Sequence, residues 1–211
     1  MPHRAFCDSL ATDRSGVLTL GESESHHVLN VLRMKPGARL EVFDGRGNLA
    51  DAVILSTTRR SVTLEAEGLR SCPPRTNRRL CVTVSPPKGD RLKWMLEKLT
   101  EVGVDAITLL KTDRTVVTPA ETRIDKLRST MIAAAKQSQQ LFLPRLNSLV
   151  TLDEAIHKSD HFDLPGKEPP GFWIAHPDVL NQNPPASRQP DAEPLDQVLL
   201  IGPEGGFTDA E

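Results

Sequence analysis

Aromatic residues are scarce in this chain of 211 residues, which contains six Phe, two Trp and no Tyr. Residues with hydrophobic side chains nevertheless make up 38% of the sequence, which is enough for a packed core. We therefore expect a core built mainly from aliphatic side chains. The length leaves room for one large domain or for two small ones.

Cysteine is also rare, and Cys7, Cys72 and Cys81 are an odd number without the spacing of metal ligands. We interpret them as reduced thiols of a cytoplasmic protein. The N-terminus lacks the apolar segment of a signal peptide, and no hydrophobic run approaches the roughly 20 residues that cross a bilayer. Both absences predict a protein that does not enter a membrane.

The net charge of −2 conceals an uneven distribution. Residues 1–157 carry 23 Lys and Arg against 18 Asp and Glu, whereas residues 158–211 carry 3 against 10. An acidic segment commonly serves only to keep a protein in solution. The functional alternative is that the basic part of the chain contacts a polyanion. Charge alone does not decide between these two interpretations.

Short, partly alternating runs rich in β-branched residues dominate the first 72 residues and indicate strands. The predicted strands are 16–20, 39–45, 49–56 and 61–67, with a hairpin turn at 44–48 and one helix at 24–34. Closely spaced short strands favour a small barrel. A polar linker is predicted at 73–79.

Strands alternate with helices in the remainder, which predicts a mainly parallel α/β sheet. The predicted strands are 79–85, 104–110, 171–177 and 196–202, the last two buried, and the predicted helices are 90–102 and 118–142. The first helix should bury Leu92, Met95, Leu96, Leu99 and Val102. Capping boxes at 118–121 and 151–154 mark helix starts. Eight of the 17 prolines lie within 165–194, which we expect to form surface loops.

The most informative motif is the glycine loop, Gly202-Pro203-Glu204-Gly205-Gly206-Phe207, which follows a predicted buried strand. Ligands of open parallel sheets bind beyond the carboxyl ends of strands, and glycines let the backbone approach a ligand closely. An ordinary tight turn explains the same residues about equally well. Neither a phosphate loop nor a dinucleotide fingerprint fits, because the required residues and glycine spacing are missing.

Seven motifs, in order along nearly the whole chain, match one known family. They are RAF (4–6), HHVLNVLRMKPG (26–37), FDGRG (43–47), KGDRLKWMLEKLTEVGV (88–104), TDRTVV (112–117), AAAKQSQQLFLPRL (133–146) and LLIGPEGGFTDAE (199–211). The chain thereby resembles the ribosomal RNA small subunit methyltransferase E family, within the SPOUT class of knotted methyltransferases.

The resemblance implies an α/β protein with a PUA-like RNA-binding β-barrel at 1–72, a linker at 73–79 and a SPOUT-type methyltransferase domain at 80–211. It implies methyl transfer from S-adenosylmethionine to N3 of a uridine in small-subunit (16S) ribosomal RNA by a homodimer. The predicted cofactor contacts are Leu199, Leu200, Ile201, Gly202, Pro203, Glu204, Gly205, Gly206 and His176. The predicted RNA contacts are Arg4, His26, His27, Arg33, Lys35, Arg46, Lys88, Arg91 and Arg114.

No catalytic residue or metal site is assigned from the sequence. N3 of uridine must lose a proton, and Glu204 and His176 are the ionisable groups nearest the loop, yet neither is preferred as the base. His26 and His27 do not form a metal pair, because adjacent helical residues point in different directions and no third ligand is evident.

The chain departs from the family in two places. Lys136 and Gln140 replace a glutamate and an arginine of the family's long helix, which leaves open any ion pair or RNA contact there. The capping box at 208–211 has no helix after it, so we expect a fragment that lacks the knot-forming end and binds S-adenosylmethionine weakly or not at all. The alternative function is an RNA-binding protein with a vestigial methyltransferase domain.

Overall fold

The computed structural model of the chain describes residues 2–10, 16–74, 79–116, 124–157, 171–175, 196–208 and 210. These residues group into two compact units. The first consists of Met1–Arg75 and Ile132–Leu143, and the second of Thr76–Met131 and Pro144–Glu211. Within the described ranges, no helix has both the length and the apolar character needed to cross a bilayer.

A five-stranded sheet forms the body of the first unit. Its strands are β1 (Arg4–Phe6), β2 (Val17–Thr19), β3 (Arg39–Phe43), β4 (Asn48–Thr57) and β5 (Val62–Ser71). They lie in the order β1-β3-β4-β5-β2, with β1 parallel to β3 and the other pairs antiparallel. Strands β2 to β5 and the hairpin between β3 and β4 confirm the predictions, whereas β1 is absent from them. The predicted barrel takes the form of this sheet, with β1 and β2 at its edges.

The core of the first unit is mainly aliphatic, as predicted. Several members of its main cluster are fully buried, among them Leu18, Val28, Val42, Ile54 and Leu64. Each such side chain contributes about 1.5–3 kcal/mol when it leaves water. A smaller cluster joins the rings of Phe6 and Phe43, whose centroids are 5.5 Å apart, to Ala135 from the second half of the chain.

The helix of the first unit is irregular and shorter than the predicted 24–34. A short helix α1 (Glu22–His26) is followed by a π-helical turn at His27–Val31. The Leu32 N–H donates to the His27 carbonyl at 2.9 Å, which is the five-residue spacing of that turn. Arg33 then takes a left-handed conformation, with φ at 52°, and the helix ends.

The long helix α3 (Ile124–Ser138) ends four residues before the predicted position 142. The cause is Gln139, whose φ of 61° lies in the left-handed region that commonly follows a helix. The N-terminal half of α3 belongs to the second unit, whereas its C-terminal half and residues 139–143 belong to the first.

The segment that follows α3 joins the hairpin between β3 and β4. The Gly47 N–H donates to the Leu141 carbonyl at 3.1 Å, and the Leu143 N–H donates to the Gly45 carbonyl at 2.9 Å. A Cβ atom on Gly47 would lie 2.5 Å from Cζ of Phe142. The glycines of the FDGRG motif therefore make room for a distant part of the chain, in addition to shaping the turn.

A five-stranded parallel sheet forms the body of the second unit and confirms the predicted architecture. Its strands are β6 (Leu80–Val84), β7 (Ala106–Lys111), β8 (Arg145–Thr151), β9 (Gly171–Ala175) and β10 (Gln197–Ile201). They lie in the order β8-β7-β6-β10-β9, and every pair is parallel. Strand β8 is absent from the sequence prediction. The prediction that β9 is buried is wrong: it lies at an edge of the sheet, and Phe172, Trp173 and Ile174 are 42–59% exposed.

Two helices of the second unit follow their sequence signals closely. Helix α2 (Asp90–Val102) has the predicted bounds and ends at Gly103, whose φ is 79°. It buries Leu92 and Leu96, but the prediction for Val102 is wrong, because this last residue is 71% exposed.

Helix α4 (Leu152–His157) begins at the predicted capping box. The Glu154 N–H donates to Oγ1 of Thr151 at 3.2 Å, and the Thr151 N–H donates to Oε2 of Glu154 at 3.1 Å. Several other predictions fall wholly or partly outside the described residues: the capping boxes at 118–121 and 208–211, most of 165–194, and His176.

Candidate functional site

Three loops meet at the carboxyl edge of the parallel sheet. They follow β6, β7 and β10, which are neighbours in the order β7-β6-β10, and comprise residues 85–89, 112–116 and 202–208. The Ser85 N–H donates to the Ile201 carbonyl at 2.9 Å and ties the first loop to the start of the third. Because ligands of parallel sheets bind at this edge, the glycine loop lies where its sequence context predicts.

The glycine loop folds back on itself. The Gly206 N–H donates to the Pro203 carbonyl at 2.8 Å and closes a four-residue turn. Gly206 has φ at 70°, a conformation that residues with a side chain rarely adopt. Phe207 returns over Gly202, where a Cβ atom would lie 3.0 Å from Cε2 of the ring. Both glycines are therefore required by the shape of the loop.

Phe207 anchors the far end of the loop in the second unit. Its ring packs against the cluster of Leu110, Val150 and Ala155, which come from β7, β8 and α4. The tip of the loop at Glu204 and Gly205 stays exposed. The result is a short, glycine-rich stretch of backbone that is held at both ends and exposed to solvent at its tip.

The side chains of β10 alternate between two environments. Leu200 is fully buried in a cluster with Cys81 and Ala106, whereas Leu199 and Ile201 are half-buried on the other face. Of the three predicted apolar cofactor contacts, Leu199 and Ile201 can offer side chains, and Leu200 can offer only its backbone. The buried environment raises the pKa of the Cys81 thiol to about 12, so this cysteine stays protonated.

The loop after β7 is organised around the hydroxyl of Thr115. Its Oγ1 accepts from the Thr112 N–H at 2.8 Å, and the Thr115 N–H donates to the Thr112 carbonyl at 3.1 Å. The hydroxyls of Thr115 and Ser85 are 2.8 Å apart, which links this loop to the loop after β6. The only residues between the two threonines are Asp113 and Arg114.

Arg114 contacts the glycine loop directly. Its Nη1 donates to the carbonyl of Gly205 and, at 3.3 Å, to the carbonyl of Phe207. Arg91 also reaches this loop, with Nη1 at 3.8 Å from Oε1 of Glu204, but both side chains are largely exposed and the pair is weak. Lys88 is exposed in the loop after β6. The structure thus brings three predicted RNA contacts to the edge that carries the predicted cofactor contacts.

Arg4, a predicted RNA contact in the first unit, is largely buried and forms an ion pair with Glu41. Its Nη2 and Nε donate to Oε2 of Glu41 at 2.8 and 3.1 Å, and its guanidinium lies 5.9 Å from the centre of the Phe43 ring. The side chain is only 10% exposed. We therefore assign Arg4 a structural role and do not propose it as an RNA contact.

The remaining predicted RNA contacts of the first unit differ in exposure. His26, Arg33, Lys35 and Arg46 are exposed, whereas His27 is half-buried. Burial lowers the pKa of His27, and repulsion from the nearby Lys136 lowers it further. A largely neutral imidazole is a weak phosphate ligand, which makes His27 a weaker candidate for an RNA contact.

Lys136, the departure from the family pattern, has a partner that sequence reasoning missed. Its Nζ lies 2.8 Å from Oε1 of Glu24, and both side chains are only 12–13% exposed. The other oxygen of Glu24 accepts from the Phe6 N–H at 2.9 Å. The unusual lysine was the only sequence signal for this ion pair. Its partner could not be identified from the sequence, because Glu24 lies 112 residues away.

Within the described ranges, no three His, Cys, Asp or Glu side chains come together as potential metal ligands.

Comparison with family models assigns both parts of the chain. Residues 74–211 match the family described as an RNA methyltransferase domain, and residues 20–67 match the one described as an RNA methyltransferase PUA domain. These matches and those below confirm the resemblance recognised in the motifs.

The chain is similar to curated proteins and to a solved structure over most of its length. It is 28% identical over 199 residues to ribosomal RNA small subunit methyltransferase E of Synechocystis. The alignment covers 92% of this chain and 61% of that relative. Its identity to the Bacillus subtilis protein of the same name is 28% over 202 residues, or 89% and 74% of the two chains. A Legionella pneumophila protein, described as a methyltransferase and solved with bound cofactor SAM, is 25% identical, with a TM-score of 0.81 over 100% of this chain and 83% of that one. The chain thus spans only about three fifths of the Synechocystis relative.

Proposed function

Because this chain belongs to the RNA methyltransferase family, we propose that it transfers a methyl group from S-adenosylmethionine to N3 of a uridine in small-subunit (16S) ribosomal RNA. The observation that carries this function is the glycine loop, which the fold places at the carboxyl edge of β10 with its tip exposed. The names of the curated relatives and the SAM bound to the Legionella structure support the choice of substrate and cofactor.

The loop fits the requirements of a sulfonium cofactor. When bound, S-adenosylmethionine supplies an electrophilic methyl group, and the protein must align it and exclude water. The backbone of residues 202–206 can approach such a ligand closely, because three of these five residues lack a side chain. Half-buried Leu199 and Ile201 can provide an apolar wall for the adenine. Glu204, at the exposed tip of the loop, remains a proposed polar contact. His176, which lies outside the described residues, remains a proposed cofactor contact on the basis of the sequence.

The RNA contacts are proposed separately for each unit. In the first unit we propose Arg33, Lys35 and Arg46, with His26 beside them, because all four side chains are exposed. In the second unit we propose Lys88 and Arg91, which are exposed next to the glycine loop. Phosphate contacts of this kind set affinity, whereas selection of one uridine requires that the base be extruded into the site.

The domain division and the assembly are also proposals. We infer a PUA-like domain at 1–72, a linker at 73–79 and a methyltransferase domain at 80–211. Within this last range, the segment 132–143 groups with the first unit. A ribosomal RNA substrate implies a cytoplasmic location. We further propose a homodimer, which size-exclusion chromatography with light scattering would reveal as twice the chain mass.

The function is tested by incubating the protein with radiolabelled S-adenosylmethionine and purified small ribosomal subunits. We expect label in the small-subunit RNA and a reverse-transcription stop at one uridine, because an N3 methyl group blocks base pairing. Label on a different atom or in a different RNA would correct the substrate assignment.

Calorimetric titration separates this function from its alternative. An enzyme should bind S-adenosylmethionine as well as RNA. Tight RNA binding without cofactor binding or label transfer would instead identify an RNA-binding protein with a vestigial methyltransferase domain.

A further inference from the structure

We propose that Arg114 is a positioning residue, which holds the backbone of the glycine loop in its ligand-binding shape, and that it is not an RNA contact. This inference deepens the proposed function and rests on it, because the loop is the proposed cofactor site. The geometry of Arg114 is the starting point. One nitrogen, Nη1, donates to the carbonyls of both Gly205 and Phe207, two residues apart on the loop.

The loop is shaped to receive the arginine side chain. Gly205 presents no Cβ, and an atom there would lie 3.3 Å from Cδ and 3.9 Å from Cβ of Arg114. The stem of the arginine thus lies along the backbone of the loop while its head binds two carbonyls. Charge-assisted hydrogen bonds to carbonyl oxygens are stronger than neutral ones, so this contact can select one conformation of a glycine-rich segment.

Arg114 is itself held in place from both sides. The turn between Thr112 and Thr115 is closed by two hydrogen bonds of 2.8 and 3.1 Å. The Thr115 hydroxyl contacts the Ser85 hydroxyl at 2.8 Å, and the Ser85 N–H donates to the carbonyl of Ile201, the residue directly before the glycine loop. These hydrogen bonds therefore form a continuous network that links the end of β10, the loop after β6, the loop after β7 and Gly205.

This network indicates that the positively charged Arg114 side chain orders the glycine loop. Residues 202–206 include three glycines, which lose more conformational freedom on ordering than any other residue type. A ligand that had to order the loop would bind more weakly, because part of its binding energy would be spent on that ordering. Arg114 orders the loop in advance and so should raise the affinity for the cofactor without touching RNA.

The first test measures the loop in the absence of any ligand. Amide hydrogen exchange of Gly206, whose N–H donates to the Pro203 carbonyl, should become about tenfold faster in Arg114→Ala, because a charge-assisted contact that holds the loop is lost. Arg114→Lys should be intermediate, since an ammonium group can reach only part of the same geometry. Lys111→Ala is the matched control, because Lys111 is an exposed cation at the end of β7 and its loss should leave the exchange unchanged. Parent-like exchange in Arg114→Ala would overturn the assignment.

The second test separates positioning from RNA contact. In Arg114→Ala the dissociation constant for S-adenosylmethionine should rise about tenfold, whereas that for small-subunit RNA should stay at the parent value. The opposite pattern, with weaker RNA binding and parent-like cofactor binding, would contradict the proposal. If the parent binds no cofactor, that result bears on the proposed function alone, and the exchange experiment decides the role of Arg114. If Arg114→Ala does not fold, Arg114→Lys decides both measurements.

Discussion

At the scale of single residues, the glycine loop depends on three glycines for two different reasons. Gly206 has φ at 70° with open space around it, so a side chain there would be strained by its backbone. At Gly202 and Gly205 the obstacle is crowding, because a Cβ atom would approach the Phe207 ring or the Arg114 side chain. Substitutions at these positions should therefore fail in distinguishable ways.

The crowding at Gly205 leads to a graded prediction. Gly205→Ala adds one atom at 3.3 Å from Cδ of Arg114, which is flexible enough to move aside, so cofactor binding should be nearly retained. Gly205→Val adds two further carbons and should displace Arg114, weakening S-adenosylmethionine binding by about tenfold or more. Calorimetry measures both variants, and circular dichroism verifies that they fold. A folded Val variant with parent-like affinity would exclude a close backbone approach at this residue.

The residues of the site differ in how far the sequence could predict them. The glycine loop was predictable because its turn chemistry and the buried strand before it are local features. The role of Arg4 was not, because Arg4 faces Glu41 only through the parallel register of β1 and β3. The contact between Arg114 and Gly205 likewise joins residues that are 91 positions apart. Local patterns predict where a loop lies, whereas the partners of a charged side chain depend on strand register and topology.

At the scale of secondary-structure elements, several ionisable side chains lie close together in a largely buried region where α1, the π-helical turn and α3 meet. Lys136 of α3 pairs with Glu24 of α1, and His27 begins the π-helical turn beside them. The groups that act on the His27 pKa are Lys136, His3 and His26, which lower it, and Glu24, which raises it.

This junction predicts a pH dependence of stability. Burial, as the largest cause, lowers the pKa of His27 in the folded state below its ordinary value of 6.5. The unfolded chain therefore takes up the proton first as the pH falls. The free energy of unfolding should be fully retained above pH 6.5 and should decrease as the pH falls from 6.5 through the lowered pKa. Urea titrations at several pH values in this range give the free energy of unfolding of each variant. This free energy should vary less with pH in His27→Gln than in the parent, and the same pH dependence in both proteins would argue against the prediction.

The ion pair between Lys136 and Glu24 gives a second prediction at this scale. Lys136→Glu should reduce the free energy of unfolding by about 3 kcal/mol, because it leaves two carboxylates facing each other in a largely buried place. The double reversal Lys136→Glu with Glu24→Lys should recover only part of this loss, since the Phe6 N–H loses its acceptor.

The matched control for this pair is Lys126→Glu, at an exposed position on α3. Because surface charges contribute little to stability, its effect in the same denaturant titration should be small. Equal losses for Lys126→Glu and Lys136→Glu would mean that net charge, and not the pair, determines the result.

The elements that the sequence missed share a physical cause. Strand β1 has only three residues and lies in no alternating run, whereas the equally short β2 lies in the partly alternating segment 16–20. Strand β8 lies at the edge of its sheet and mixes polar with apolar residues, so that of its seven residues only Val150 is fully buried. Helix α3 ends at Gln139 through a left-handed conformation, although glutamine is an ordinary helix-forming residue. Elements with a strong hydrophobic period were predicted, whereas those defined by their neighbours were not.

At the scale of the whole molecule, each unit has a core of its own, and the proposed cofactor site lies in the second unit, together with Lys88 and Arg91 as proposed RNA contacts. The second unit carries the glycine loop, and the first unit carries exposed basic residues around a turn that matches the family. Affinity for RNA and affinity for the cofactor should therefore be separable by mutation.

Charge reversal in the first unit tests this separation. Arg33→Glu with Lys35→Glu should weaken binding to small-subunit RNA and reduce the slope of log K against log salt by about 2, because two phosphate contacts are lost. Cofactor binding by the same variant should be unchanged in calorimetry. Arg59→Glu with Arg60→Glu is the matched control, since it makes the same change in charge at exposed positions between β4 and β5, outside the proposed surface. If both double variants weaken RNA binding equally, the first unit acts only through its net charge. A loss confined to the Arg33 and Lys35 variant would instead locate the RNA surface at the turn after the π-helical segment.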